Sequence, residues 1–245
     1  MMRADGYIAP MAYVLHYAPD NASLIVRMTL EEMGVDYTTA LVDRAARAQS
    51  GAAYRNINPA GLIPALETPH GVMFETAAIL LWLSDTHGQM APRQDNPERA
   101  RFLSMLFFVS NTLHAQLRML FYPEKYVGDD AQAQRAMRDR LISNSETAMT
   151  LPRALGLVDA YIGAQSDLDA PSILECYMAA IVRWCALYPA GLTAWFDLSA
   201  YPALATIAAR LDTRSTTRAV AEAEGLGHTP FSRPVLPNPP EGTAL

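Results

Sequence analysis

The 245-residue chain predicts an α/β sheet domain followed by an all-α helical bundle. Three observations carry this reading. Residues 1–88 mix β-rich runs with one-faced apolar stretches, and residues 89–96 form a polar, proline-bearing break. From residue 97 to 224 the apolar spacing is helical. These limits give an N-terminal domain at 1–88, a linker at 89–96, a helical domain at 97–224 and a proline-rich tail at 225–245.

The elements follow in order. Residues 11–17 read as a first strand, ended by Ala18-Pro19-Asp20-Asn21. Leu24, Ile25, Met28, Leu30 and Met33 give an amphipathic helix that stops at Gly34. Residues 36–42 are rich in β-formers, so strand, helix and strand imply a right-handed crossover and a parallel pair. Residues 64–66 and 72–74 form a hairpin through Pro69-His70-Gly71, and residues 76–87 form a helix with Ile79, Leu80 and Leu83 inward. The order βαβ then ββα is the thioredoxin-like arrangement. Helices are expected at 97–120, 129–151 and 171–187, with shorter ones at 192–196, 201–211 and 212–224. Ser172 and Glu175 have the spacing of a capping box. The tail holds Pro230, Pro234, Pro237, Pro239 and Pro240, which exclude a helix and suit an extended or partly disordered surface segment.

Composition removes several function classes. The chain is 51% hydrophobic and 18% charged, yet no apolar run approaches the roughly 18 residues of a membrane span. The first eleven residues lack the apolar core of a secretory signal, so a cytoplasmic location is expected. A net charge of -6 argues against nucleic acid as a partner. The two cysteines, Cys176 and Cys185, do not make a secreted scaffold and suit buried apolar positions. No metal is expected.

The most informative stretch is Asn58-Pro59-Ala60-Gly61-Leu62-Ile63-Pro64-Ala65-Leu66-Glu67, with Phe74-Glu75-Thr76 shortly after. Proline inside an apolar run cannot donate to a ladder, so the segment is an edge or a bend. An Ile-Pro bond is also among the few that adopt cis at low cost. Such a bend can turn the N–H and C=O of Ile63 outward, to pair with an extended ligand as an added strand does. Asn58-Pro59, Gly61, Pro64, Glu75 and Thr76 resemble, in order and approximate spacing, the glutathione-binding half of the soluble glutathione transferases.

The resemblance implies roles for these residues. Ile63, before a cis Pro64, would pair with the cysteinyl part of glutathione, and Glu75 with Thr76 would hold its γ-glutamyl group. Arg44 and Arg47, in the loop after the second strand, stand where family members often place a cation for the glycyl carboxylate. The stretch Ala18-Pro19-Asp20-Asn21-Ala22-Ser23-Leu24 is similar to the bacterial beta-class pattern Ala-Pro-Gly-Ala-Cys-Ser-Leu, with Ala22 at the cysteine. That leaves Ser23, with Asn21 second, to donate to the glutathione sulfur at a helix start that favours an anion. On the 97–120 helix, Phe107, Ser110, Asn111, His114 and Arg118 recur at three- and four-residue spacing, which suggests a shared polar face. His114 matches the beta-class pattern by position, and His114, Ser110 and Arg118 are the candidates for an electrophile cleft.

Three activities are compatible with these residues. The first is an enzyme that reacts glutathione, as co-substrate, with a small electrophile. The second is a non-catalytic binding or protein-interaction module of the same fold. The third is a glutathione-dependent disulfide reductase, disfavoured by Ala22 at the cysteine position. A homodimer is what the resemblance implies.

Overall fold

The computed structural model describes residues 13–164 and 170–244. Residues 11 and 12 of the expected first strand lie outside the described residues. The N-terminal elements are β1 (Tyr13–Tyr17), α1 (Ser23–Met33), β2 (Tyr37–Leu41), α2 (Ala52–Arg55), β3 (Ala65–Thr68), β4 (Gly71–Phe74) and α3 (Thr76–His87). The sheet order is β2-β1-β3-β4, with β1 parallel to β2 and antiparallel to β3. This is the thioredoxin-like arrangement the element order predicted. Tyr13, Leu15 and Tyr17 are buried on one face of β1. On that face Tyr13 meets Trp82 of α3 edge-on and shares a 3.0 Å hydrogen bond with His87. His16 turns to the other face, against Tyr54 of α2. α1 ends at Gly34, whose φ of 63° lets its N–H reach the last carbonyls.

The helical region holds α4 (Arg99–Phe108), a π-helical turn (Val109–His114), α5 (Ala115–Phe121), α6 (Glu124–Val127) and α7 (Ala131–Ile142). It continues with α8 (Leu151–Gly163), α9 (Ile173–Leu187), α10 (Pro202–Asp212) and α11 (Ser215–Glu224). Three expectations need correction. The helix expected at 97–120 is interrupted by the π turn. The one expected at 129–151 stops at Ile142, where Ser143 returns its hydroxyl to the Arg140 carbonyl. A separate helix, α8, then begins with Pro152 in its first turn, a place where proline costs no hydrogen bond. Residues 192–196 are not helical; the nearest regular element is a 3₁₀ turn, Leu198–Ala200, nucleated by Asp197 accepting from the Ser199 N–H.

α9 is the central helix. Its capping box is complete, with Ser172 N–H to Glu175 at 2.6 Å and Glu175 N–H to the Ser172 hydroxyl at 3.2 Å. From Ile173 to Cys185 only Glu175 escapes full burial. Cys176 and Cys185 are free and buried, and burial pushes both thiols up, so neither is a reactive thiolate.

One buried ion pair ties the β1–α1 loop to α9. Asp20, at φ 50°, takes both Arg183 Nε (2.9 Å) and Nη2 (3.0 Å). It also accepts from Trp184 Nε1 at 3.0 Å and from the Tyr188 hydroxyl at 2.6 Å. Arg183 spends its remaining donors on the carbonyls of Pro230 (3.1 Å) and Val235 (3.0 Å), with Leu226 more distant. The tail is therefore built into the core, with Leu226 and Phe231 buried, where an extended or partly disordered surface segment was expected. Beside this pair, buried Glu224 accepts from the Asp20 N–H (2.9 Å) and from Arg27 (3.2 Å).

Removing one member of a fully buried pair leaves the other charge uncompensated, at about 3–5 kcal/mol. Asp20→Ala should therefore lower the free energy of urea unfolding by about that amount, and Asp20→Ala with Arg183→Leu should recover part of it. A loss under about 1 kcal/mol in the single variant would mean that this pair does not hold the loop.

Candidate functional site

The sheet register lines up four segments at one edge. Tyr17 pairs with Leu41, His16 with Ala65, and Ala65 with Phe74. One step beyond these pairs lie Val42, Ala18, Ile63-Pro64 and Glu75. Ala18, Val42, Ile63 and Tyr54 of α2 pack together as a small apolar cluster beneath them.

The 58–64 loop is held by its own polar groups. Buried Asn58 donates to the Leu62 carbonyl at 2.7 Å and accepts from the Ala60 N–H at 3.0 Å; the Tyr54 hydroxyl also donates to Leu62 at 2.9 Å. Gly61 is obligatory, because at φ 63° a Cβ would stand 2.9 Å from the Gln49 carbonyl oxygen. The Ile63–Pro64 bond is cis. Among the described residues, neither the N–H nor the C=O of Ile63 is hydrogen-bonded within the chain. A backbone donor and acceptor at the end of an ordered loop can pair with an extended peptide.

Across β4, Glu75 precedes α3 with φ 72° and ψ 111°, a conformation that L side chains rarely adopt. Its carboxylate is exposed and makes no capping bond to α3. Thr76 beside it is largely buried, and its hydroxyl has no hydrogen bond among the described residues. An ordinary capped helix start would have used these groups. A carboxylate and a hydroxyl at a helix N-terminus can instead take the ammonium and carboxylate of an amino-acid head group.

At the start of α1 the geometry departs from expectation. Ser23 is fully buried; its hydroxyl donates to the Ala18 carbonyl (3.1 Å) and accepts from the Ala18 N–H (3.2 Å). With both bonds made, the hydroxyl closes the β1–α1 loop on itself. Half-buried Asn21 accepts from the Ala22 N–H at 2.8 Å through Oδ1, which orients its amide and leaves the NH₂ side uncommitted among the described residues.

The two loop arginines differ. Arg44 is half-buried; Nη1 donates to the Ala244 carbonyl and Nη2 to the Tyr122 hydroxyl at 3.1 Å. Arg47, at φ 54°, is exposed, and its side chain makes no hydrogen bond or ion pair among the described residues.

The π turn splits the expected polar stripe. Phe107 and Asn111 face solvent, whereas Ser110 and His114 turn inward toward α9. A wider turn breaks three- and four-residue spacing, so the stripe does not survive as one face. His114 Nδ1 lies 2.8 Å from the hydroxyl of buried Tyr177, and its ring stands 5.4 Å from that of Trp184. The Ser110 hydroxyl and the Glu75 carboxylate both act on the Tyr177 phenol, which burial pushes up. Tyr177 was not foreseen as a site residue. It looks like one more apolar-face aromatic of α9, and nothing local marks its hydroxyl. Asp20 was missed too, although it stands where the beta-class pattern has glycine, which hinted at its positive φ.

Burial, and then the nearby Arg118 guanidinium, lower the His114 pKa to about 4. Between that value and the ordinary value of 6.5 the unfolded chain binds the extra proton. The contribution of His114 to stability is therefore complete above pH ~6.5 and is lost as pH falls toward 4. NMR should find the His114 ring neutral at every pH above about 5.5. Acid destabilisation across this window should be smaller in His114→Gln. A ring titrating near 6.5 would contradict the buried placement.

The model of the glutathione S-transferase N-terminal domain matches residues 22–86. The chain is 28% identical, over 86% of its length and 98% of the relative's, to glutathione S-transferase GST-4.5 of Xanthomonas campestris. It superposes on the beta-class glutathione S-transferase of Sphingomonas chungbukensis with TM-score 0.67 and 27% identity, covering 86% of this chain and 98% of that one. A Burkholderia graminis glutathione transferase, solved with two glutathione molecules per subunit, gives TM-score 0.69 at 25% identity over 88% of this chain and 90% of that one. The fold, the sheet-end loops and these likenesses together make the chain similar along most of its length to the soluble glutathione S-transferases, with residues 22–86 matching their N-terminal domain, and a glutathione S-transferase-like enzyme.

Proposed function

We propose that the protein binds glutathione along the sheet end and reacts its thiol with a small electrophile. In this reading the Ile63 N–H and C=O pair with the cysteinyl unit, Glu75 and Thr76 take the γ-glutamyl head group, and Arg44 or Arg47 takes the glycyl carboxylate. The electrophile enters from the helical side, near His114, Ser110 and Arg118. The observation that carries the reading is Glu75: a strained backbone and an exposed carboxylate that caps nothing.

The thiol would lie at the start of α1, where helix N–H groups favour an anion. Asn21 is the side-chain donor best placed by its orientation, since the Ser23 hydroxyl is spent on Ala18. Such a bond contributes about 1.5–3 kcal/mol to a charged acceptor, enough to lower a thiol pKa by one to two units. No protein thiol shares the work, because both cysteines are buried in α9. Any reductase chemistry would therefore run on glutathione alone. The electrophile would react by proximity to the held thiolate, with neutral His114 as a hydrogen-bonding wall. A homodimer completes the proposal, and the exposed apolar side chains Val72, Phe74 and Phe107 are those it would cover. No described helix is long and apolar enough to cross a membrane.

Glu75 gives the decisive experiment. Glu75→Gln should weaken glutathione binding in calorimetry about tenfold or more, through loss of a charged hydrogen bond. Glu75→Gly should do the same while stabilising the fold by about 1 kcal/mol through relief of the backbone strain. Unchanged affinity in both variants would remove the γ-glutamyl assignment.

A second pair of variants separates the sulfur donors. Asn21→Ala should reduce kcat/KM about tenfold with little change in unfolding free energy. Ser23→Ala should cost about 1 kcal/mol of stability and leave the thiol's pKa in the complex unchanged. The reverse pattern would return the serine hydroxyl to the sulfur.

A further inference from the structure

The segment after α11 follows a defined course back to the sheet. Gly225, at φ 64°, meets the chain again at Asn238, whose N–H donates to the Gly225 carbonyl at 2.8 Å. The approach is so close that a Cβ on Gly225 would fall 2.0 Å from the Asn238 carbonyl oxygen. Residues 226–237 thus form a closed loop, pinned from inside by Arg183. The last described residues leave this loop and cross the same sheet end that carries the site. The Tyr17 hydroxyl donates to Glu241. Gly242 lies against Leu41 and Pro19, where a Cβ would come within 2.8 Å of Leu41 and 3.3 Å of Pro19. The Ala244 carbonyl takes the Arg44 guanidinium.

These partners are the C-terminal ends of β1 and β2 and the loops that follow them. Ala18 and Val42, beside Tyr17 and Leu41, pack against Ile63. We propose that residues 241–244 form an autoinhibitory strap, which holds Arg44 with a backbone carbonyl and lies over the end of the groove where a peptide's C-terminal carboxylate would bind. The proposal rests on the glutathione reading of the site.

The strap is built to yield. Glu241, Gly242 and Thr243 are exposed, so few apolar contacts resist its opening. A ligand carboxylate makes a charge-assisted bond to Arg44, which is about twice as strong as the neutral carbonyl's. Glutathione therefore competes for the arginine and wins it at a reduced apparent affinity. Glu241 adds a carboxylate beside the path of an anionic ligand. Burial, then the hydrogen bond to Glu241 and its charge, push the Tyr17 phenol up to about 12, which supplies an independent report of where the strap lies.

The test compares the full chain with a chain ending at Pro240, each with and without Arg44→Ala, by calorimetry with glutathione and by NMR of ¹³C-labelled tyrosine. Deleting residues 241–245 should tighten glutathione binding about fivefold, the ratio expected when a charged acceptor no longer displaces a neutral one. Arg44→Ala should then weaken binding strongly in the shortened chain and little in the full one. The Tyr17 phenol should titrate at lower pH once Glu241 is gone. Equal affinity in the two chains, with Glu75→Gln still weakening both, would overturn the strap and leave the glutathione site standing. An unmoved Tyr17 titration would overturn it whatever the ligand does. If Tyr17 shifts but neither chain binds glutathione, the site reading falls and the inhibitory role falls with it.

Discussion

The Asp20–Arg183 pair is the constraint on which the site's geometry depends. Asp20 sits in the loop that begins α1, and Arg183 sits in the middle of the most buried helix. Both carboxylate oxygens and the guanidinium donors named above are satisfied, the condition under which a buried charge is tolerable. The loop cannot move without breaking contacts to α9, to Trp184 and Tyr188, and through Arg183 to the tail. Asn21 and the first N–H groups of α1 inherit that fixity. The ion pair has a direct consequence for chemistry, because a donor aimed at a sulfur acts only if its backbone is held.

The other half of the groove is rigid for local reasons. Asn58 and Tyr54 close on Leu62, and Gly61 fits where no side chain could. The fold satisfies the polar groups of these loops while leaving the Ile63 backbone, the Glu75 carboxylate and the Thr76 hydroxyl to whatever binds. Glu75 holds a conformation better suited to glycine. A fold that keeps a carboxylate there gives up stability at that position, as functional sites commonly do.

Much of this was legible in the sequence. The βαβ–ββα order, the stop at Gly34, the capping box at Ser172 and the bend at Pro64 each rest on local rules, and each has its counterpart in the structure. The misreadings came where tertiary contacts decide. Ser23 was expected to point its hydroxyl at a ligand sulfur, but a side chain at a helix start can turn inward as readily as outward, and here it bonds Ala18. The polar stripe on residues 107–118 assumed regular spacing, which one π turn undoes. Tyr177 and Asp20 find their partners 63 and 163 residues away, a relation no local pattern encodes. The tail's proline content ruled out a helix but could not reveal that buried Arg183 would collect its carbonyls.

The reach of Arg183 also bears on how this chain can be divided. The two halves look like modules separable at the 89–96 segment, and sequence recombination between relatives would naturally cut there. Yet the loop that starts α1 draws its shape from α9, and the end of the chain returns to lie on β1 and β2. A chimera that joins this N-terminal half to another helical half brings Asp20 without its arginine, an anion buried against a foreign surface. The exchangeable unit is therefore defined by charge partnership and not by the linker. Inheritance of the first half alone would not carry the site with it.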